Sequence, residues 1–210
     1  MLEHAEYIKM FIGLLALMNP FGVVPIFISM TSHESIDQRT KTINMVAIGV
    51  AAILLVSLFF GELLLDFFAI SIDSFRVGGG ILILLMAISM LQAKTSQVRQ
   101  TPEEADESIE MESVAIVPLA MPLLAGPGSI STIILAAHKS NGIGHYSIIV
   151  LGIIVLSLVV WGVLRLSPYI SKHVSSTGLN IFTRIMGLIL TAIAVEFIAN
   201  GIKGMFPALA

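Results

Sequence analysis

The chain has 210 residues, 56% of them hydrophobic and 12% charged, with mean hydropathy +0.96 and a formal net charge of −3. Soluble domains carry about 25% charged residues, so this composition specifies an integral membrane protein, and the lack of a basic excess argues against nucleic acid as a partner. The chain holds no cysteine, which excludes thiol chemistry, disulfides and thiolate metal sites and leaves the redox compartment unread.

The N-terminal Leu2-Glu3-His4-Ala5-Glu6 is acidic where a secretory signal is basic, and the apolar stretch behind it is too long for a signal-peptide core. Hydropathy predicts six spans, at 7–30, 43–65, 75–91, 114–137, 147–166 and 185–202. The first contains Asn19-Pro20-Phe21-Gly22, with Pro25 beyond. Pro20 lies ~18 Å along it at the α-helical rise, near the middle of a bilayer. Proline removes a backbone donor and clashes with the carbonyl four residues back. Asn19 adds an amide that hydrocarbon cannot satisfy. Alone, the motif fits a packing kink as well as a break. Residues 66–74, between the second and third spans, read as an interfacial turn.

The third span opens with Arg76-Val77-Gly78-Gly79-Gly80-Ile81-Leu82. Residues 93–112 then form the one long polar segment, with Glu103, Glu104, Asp106, Glu107, Glu110 and Glu112, and read as a solvated linker. The fourth span carries Val-Pro-Leu-Ala-Met-Pro-Leu-Leu-Ala-Gly-Pro-Gly-Ser-Ile-Ser over 117–131. Pro122 frees the carbonyl of Pro118, and Pro127, flanked by Gly126 and Gly128, frees that of Leu123. Broken backbone at membrane depth is tolerated only where protein surrounds it or water reaches it. Tyr146, Trp161 and Tyr169 fall near the ends of the fifth span, as interfacial aromatics do. The sixth opens with Arg184-Ile185-Met186-Gly187-Leu188-Ile189-Leu190.

Two pairs of motifs therefore repeat at nearly one spacing. The offset is 107 between the prolines (127 − 20) and 108 between the arginines (184 − 76). The spacing, about half the chain, points to an internal duplication with repeats at 1–92 and 113–210 around the linker 93–112. Each half holds three spans, an odd number, so the second enters from the opposite side. The expected fold is all-α, integral to the membrane. Its six transmembrane helices form two inverted three-helix repeats, with helices 1 and 4 broken at proline motifs near the midplane. Paired helix breaks in inverted repeats mark the midplane site of a secondary transporter.

Lys and Arg set orientation. Arg39, Lys41, Lys94, Arg99, Arg165, Lys172 and Arg184 follow spans one, three and five, against Lys9, Arg76, Lys139 and Lys203 on the other side. This places both termini outside and the acidic linker in the cytoplasm.

A half-helix that starts after a break offers free N–H groups and a positive dipole end to a carboxylate. Released carbonyls, amides and hydroxyls suit an ammonium group. Two facing breaks can thus hold a zwitterion between Asn19, Pro20, Phe21 and Gly22 and Gly126, Pro127, Gly128, Ser129, Ser131 and Thr132. Among charges within or beside spans, Arg76, Arg184 and Glu196 are candidates for coupling or gating, with snorkelling to headgroups as the alternative, and Glu62 reads as interfacial. His4, His33, His138, His145 and His173 fall outside the span interiors and read as surface residues. No spacing of His, Asp and Glu makes a metal cage, and neither a cofactor nor a catalytic residue is expected.

Asn-Pro-Phe-Gly in span one, Met-Pro-Leu-Leu-Ala-Gly-Pro-Gly-Ser-Ile-Ser in span four and Arg-Ile-Met-Gly-Leu-Ile-Leu in span six resemble the MarC family. The tail from Glu196 to Pro207 and Ile70-Ser-Ile-Asp-Ser-Phe-Arg76 resemble it as well, so the likeness covers the chain. The resemblance implies a six-span bacterial inner-membrane protein related to transporters of small neutral amino acids. Expected partners are the bilayer, such an amino acid, and a proton or sodium ion for coupling. Competing readings are a non-transporting membrane scaffold, an exporter of another solute, and a serine hydrolase on Ser129, which lacks a histidine base within a span.

Overall fold

The computed structural model describes residues 3–31, 34–92, 124–140 and 142–206. Helices, and no strands, make up the regular structure of these residues: α1 (His4–Met18), α2 (Pro20–Met30), α3 (Ile36–Phe67), α4 (Ile72–Leu91), α5 (Pro127–His138), α6 (Ile143–Arg165), α7 (Ser167–His173) and α8 (Ser176–Met205). Five stretches are long and apolar enough to cross a bilayer: His4–Ile28, Ile36–Phe67, Ile72–Leu91, Ile143–Arg165 and Thr177–Met205. They coincide with the first, second, third, fifth and sixth predicted spans. Of the fourth, only the part from Leu124 onward is described. Its first half, with Pro118 and Pro122, and the acidic linker lie outside the described residues.

The helices outrun the hydropathy windows because polar caps start them. Ser35 forms a capping box with Gln38, so α3 begins at 36 rather than 43. Ser71 accepts from Ser74 N–H at the start of α4, and Ser175 accepts from Gly178 N–H at the start of α8. The predicted turn at 66–74 is shorter than read: α3 runs to Phe67, Ala69 turns the chain with φ 53°, and α4 starts at Ile72.

At the centre lies α5, buried from Gly128 to Ala137 apart from half-buried Ile130, against α1, α3 and α4. Between Gly128 and Ala137 the helix carries no charged residue, so it can be buried on nearly every side. Phe59, Phe60, Leu63, Leu64, Leu151 and Leu158, by contrast, are exposed on the outside of α3 and α6, where a bilayer would cover them.

α4 packs antiparallel on α8, and glycines let the backbones close. A Cβ on Gly80 would stand 3.0 Å from the Ala194 carbonyl oxygen, and one on Gly187 would stand 3.1 Å from that of Ala87. The two contacts are reciprocal at one offset, 107, for both glycines (187 − 80) and both alanines (194 − 87). The same offset relates buried Ile83 to Leu190 in this pair, and buried Thr42, Val46 and Val50 of α3 to Ile149, Ile153 and Ser157 of α6. Packed neighbours follow suit. α1 meets α5, α3 meets α6 and α4 meets α8; α5 also touches α3 and α4, as α1 and α2 touch α6 and α8. The arginine alignment at 108 is therefore one residue out of the packing register: Gly80, not Gly79, is the counterpart of Gly187, while Gly79 faces Ser131.

Candidate functional site

Asn19 separates α1 from α2. Its backbone is left-handed (φ 39°, ψ 58°), its N–H closes α1 on the Leu15 carbonyl at 3.0 Å, and α2 starts at Pro20. Asparagine tolerates this conformation better than other residues with a Cβ. The side chain then caps the next helix: Oδ1 accepts from Gly22 N–H at 3.3 Å. A Cβ on Gly22 would collide with that amide where it now lies, so a larger residue there would displace the cap. One residue thus ends one helix and opens the next.

α5 starts differently. Gly126 is its N-cap in extended conformation, without a side-chain cap, and Pro127 takes the first helical position, where a missing N–H is harmless. First-turn N–H groups of such a helix have no intrahelical acceptor. Around this end Ser129, Ser131 and Thr132 are buried. Thr132 Oγ1 donates to the Gly128 carbonyl at 2.8 Å and Ser129 Oγ to that of Leu124 at 3.5 Å. The two breaks approach one another. A Cβ on Gly128 would lie 3.0 Å from Leu17, two residues before Asn19, and 3.0 Å from Ile83 of α4. Gly128 is selected by space, not by backbone angle, since the glycine with positive φ among the described residues is Gly142. Pro20 is buried and Pro127 exposed; Phe21 meets Phe182 of α8 edge-on at 5.2 Å.

The charged candidates lie elsewhere. Arg76 pairs with Asp73, one turn back on α4, at 3.3 Å. Arg184 and Glu196 are exposed on α8, and Glu196 points away from the stripe of Gly187, Leu190 and Ala194 that meets α4. Glu62 is tied to His138, at the end of α5, at 2.7 Å. A groove of about 520 Å³ lined by Phe59, Tyr146 and Val150 opens on the outside of α3 and α6 and touches neither break. Among the described residues no group of His, Asp and Glu could hold a metal ion.

One histidine departs from the surface reading. His145 is fully buried, and its Nδ1 lies 2.6 Å from the hydroxyl of Tyr7, which is also buried. Its Nε2 lies 2.9 Å from the Ala136 carbonyl oxygen. The sequence held the signal: α6 begins at 143 rather than 147, which puts His145 in phase with the buried stripe of Ile149, Ile153 and Val160.

The MarC family model, described as MarC family integral membrane protein, matches residues 4–206. The chain belongs to the MarC family. It is 45% identical over 203 residues to UPF0056 membrane protein YhcE of Escherichia coli, which covers 97% of this chain and 94% of that relative. It is 38% identical over 203 residues to UPF0056 membrane protein YvbG of Bacillus subtilis, at 96% of both chains. A Methanocaldococcus jannaschii relative, UPF0056 membrane protein MJ1677, is 37% identical over 198 residues, 94% of this chain and 96% of that one. No solved structure matches. The chain is an integral, multi-pass membrane protein, and the names of these relatives say only that they are membrane proteins.

Proposed function

We propose that this MarC-family protein is a secondary transporter of small neutral amino acids of the glycine, alanine, serine and threonine class, with substrate held between the breaks at 19–22 and 126–129. The observation that carries the reading is the pair of helix starts. α5 opens without a side-chain cap, beside buried Ser129, Ser131 and Thr132, and faces a helix interrupted at a left-handed Asn19. An uncapped helix start favours a carboxylate, and the Asn19 carboxamide together with released carbonyls favours an ammonium group. Gly22 and Gly128 are closely packed by Asn19, Leu17 and Ile83, so a substrate held there must be small.

The wider architecture in this reading is two inverted three-helix repeats with helices 1 and 4 broken near the midplane. The reciprocal contacts of Gly80 with Ala194 and Gly187 with Ala87 support it, because an antiparallel pair related by a twofold axis must exchange contacts in this way. The protein sits in the bacterial inner membrane with both termini periplasmic, on the Lys and Arg distribution, and a proton or sodium ion is the candidate coupling ion.

A specific observation favours a second reading, a non-transporting scaffold. The Ser129 and Thr132 hydroxyls and Asn19 Oδ1 each have a partner within the chain, and Leu17, Ile83 and Met86 pack at Gly128. The breaks would then serve packing alone. Uptake of labelled glycine, alanine, serine and threonine into proteoliposomes, with thermal shift of the purified protein by the same panel, separates the two. Uptake above empty liposomes or a shift with one of the four supports the transporter. Silence in both assays rejects it for these substrates and leaves the scaffold or an exporter of another solute.

A further inference from the structure

The seam between α3 and α6 carries a polar ladder on the face that a bilayer would cover. Trp161 Nε1–H donates to Asn44 Oδ1 at 2.8 Å, and one turn on, Arg165 Nη1 donates to Thr40 Oγ1 at 2.8 Å. Both rungs lie near the start of α3 and the end of α6, towards one membrane surface. Exposed Ile48 and Leu158 follow one turn deeper along the same two helices. At the offset of 107 stand Ser147, Leu151, Leu54 and Leu58, which cannot form such rungs, so joining α3 to α6 does not itself require them.

Hydrogen-bonding capacity decides what this ladder can hold. An indole N–H only donates, which fixes the Asn44 amide with its oxygen towards Trp161 and leaves its NH2 as a donor. Thr40 is fully engaged: its Oγ1 accepts from Arg165 and donates to the Ile36 carbonyl at 2.9 Å. Arg165 keeps most of its guanidinium donors. Exposed Lys41, next to Thr40 and one turn from Asn44, adds an ammonium group. Neither cation has an ion-pair partner among the described residues. The groups left over are all donors, two of them charged. Other charges nearby are turned away or counted against them. Arg39 Nη2 donates to the Thr31 carbonyl of the α2 end at 2.9 Å, and Glu34 accepts from Thr42 at 3.1 Å. Asp37, exposed one turn before Lys41, leaves the patch with one net positive charge.

We propose that Lys41, Asn44, Trp161 and Arg165 form a binding site for the headgroup of an anionic phospholipid of the phosphatidylglycerol class. The phosphodiester takes the Arg165 fork and the Lys41 ammonium, the Asn44 NH2 donates to a further lipid oxygen, and the acyl chains run over Ile48 and Leu158. A zwitterionic lipid brings the same phosphate together with a cation that a positive patch disfavours, so the site selects by charge. It lies on the outside of the bundle and does not rest on the transporter reading.

Trp161 is the chain's one tryptophan, so its fluorescence reports this site alone. The purified full-length protein is reconstituted in mixed phosphatidylglycerol and phosphatidylcholine, with bromine on the acyl chains of one lipid or the other to quench Trp161 on contact. At equal mole fraction, brominated phosphatidylglycerol should be preferred about fivefold, the worth of one net basic charge near a membrane surface. Lys41→Gln and Arg165→Gln each cancel that charge and should bring the ratio to about one. Lys41→Gln disturbs no hydrogen bond among the described residues, which keeps the test open if Arg165→Gln does not fold. Lys139→Gln, at the opposite end of the bundle, should leave the preference intact. Equal quenching by the two lipids in the wild type, or a preference that survives in either folded variant, would overturn the proposal. A preference lost in Lys139→Gln as well would reduce it to general surface charge and overturn it too. So would recovery of the fluorescence on adding inorganic phosphate, which would give the patch to a soluble anion.

Discussion

Asn19 is where a structural role and a binding role can be pulled apart, using two substitutions. Asn19→Ala keeps a Cβ in a left-handed conformation and removes the Oδ1 cap on Gly22 N–H. The backbone term costs about 1 kcal/mol relative to asparagine and the lost cap about 1 kcal/mol. The sum, about 2 kcal/mol, lowers the melting temperature by about 4–8 °C for a chain of this size. Asn19→Gly loses the cap, at a few tenths of a kcal/mol for a glycine N-cap, and relieves the backbone, so its melting temperature in detergent should stay within a degree or two of wild type. Binding should behave otherwise. If the carboxamide contacts a charged end of the substrate, both variants lose a hydrogen bond of about 1.5–3 kcal/mol, or roughly 10- to 150-fold in affinity. Thermal unfolding with and without the amino acid panel reads both quantities. Equal destabilisation by glycine and alanine would refute the claim that the left-handed angle selects asparagine. Wild-type affinity in Asn19→Gly would refute a substrate contact and leave Asn19 as a cap.

Three further predictions are sharper in sign than in size. Gly128→Val places methyl groups against Leu17 and Ile83, which a bare Cβ already meets at 3.0 Å; it should cost about 1–3 kcal/mol and abolish uptake, and a Gly128→Val protein with normal uptake removes the meeting point of the breaks as the site. Gly80→Leu and Gly187→Leu each drive a side chain into a backbone carbonyl of the opposite helix, so both should destabilise by similar amounts of about 2 kcal/mol or more. Strongly unequal losses would contradict reciprocal packing. A C-terminal alkaline phosphatase fusion should be active and a fluorescent-protein fusion dark, and the reverse result inverts the membrane orientation while leaving the packing intact.

Much of the fold was legible because a bilayer demands long apolar stretches, and those stretches do not depend on tertiary context. Helix ends were not legible by the same route. Ser35, Ser71 and Ser175 start helices in polar sequence, where hydropathy is blind and capping geometry decides. Asn-Pro marked a place where a helix can be interrupted, combining a residue that tolerates the left-handed region with one that has no N–H, but the motif alone left a kink equally open. His145 could not be placed from a window that began after it, and its partners, a tyrosine 138 residues away and a backbone carbonyl, leave no trace in local sequence.

The proposed repeat shows the same division between what packing fixes and what it ignores. Arg76 and Arg184 catch the eye in an apolar alphabet, and aligning them gives 108. Yet Arg184 is exposed and Arg76 pairs with Asp73 on its own helix, so their alignment does not rest on a backbone contact between α4 and α8. Gly80 and Gly187 have no such freedom. Each lies over a carbonyl of the facing helix, and moving either by one residue rotates it by about 100° and brings a side chain onto the contact. The packed glycines agree with the prolines at 107, and the buried stripes of α3 and α6 follow the same number. Where chemical conspicuousness and close contact disagree about a repeat, contact sets the register, because there an error is a collision between backbones.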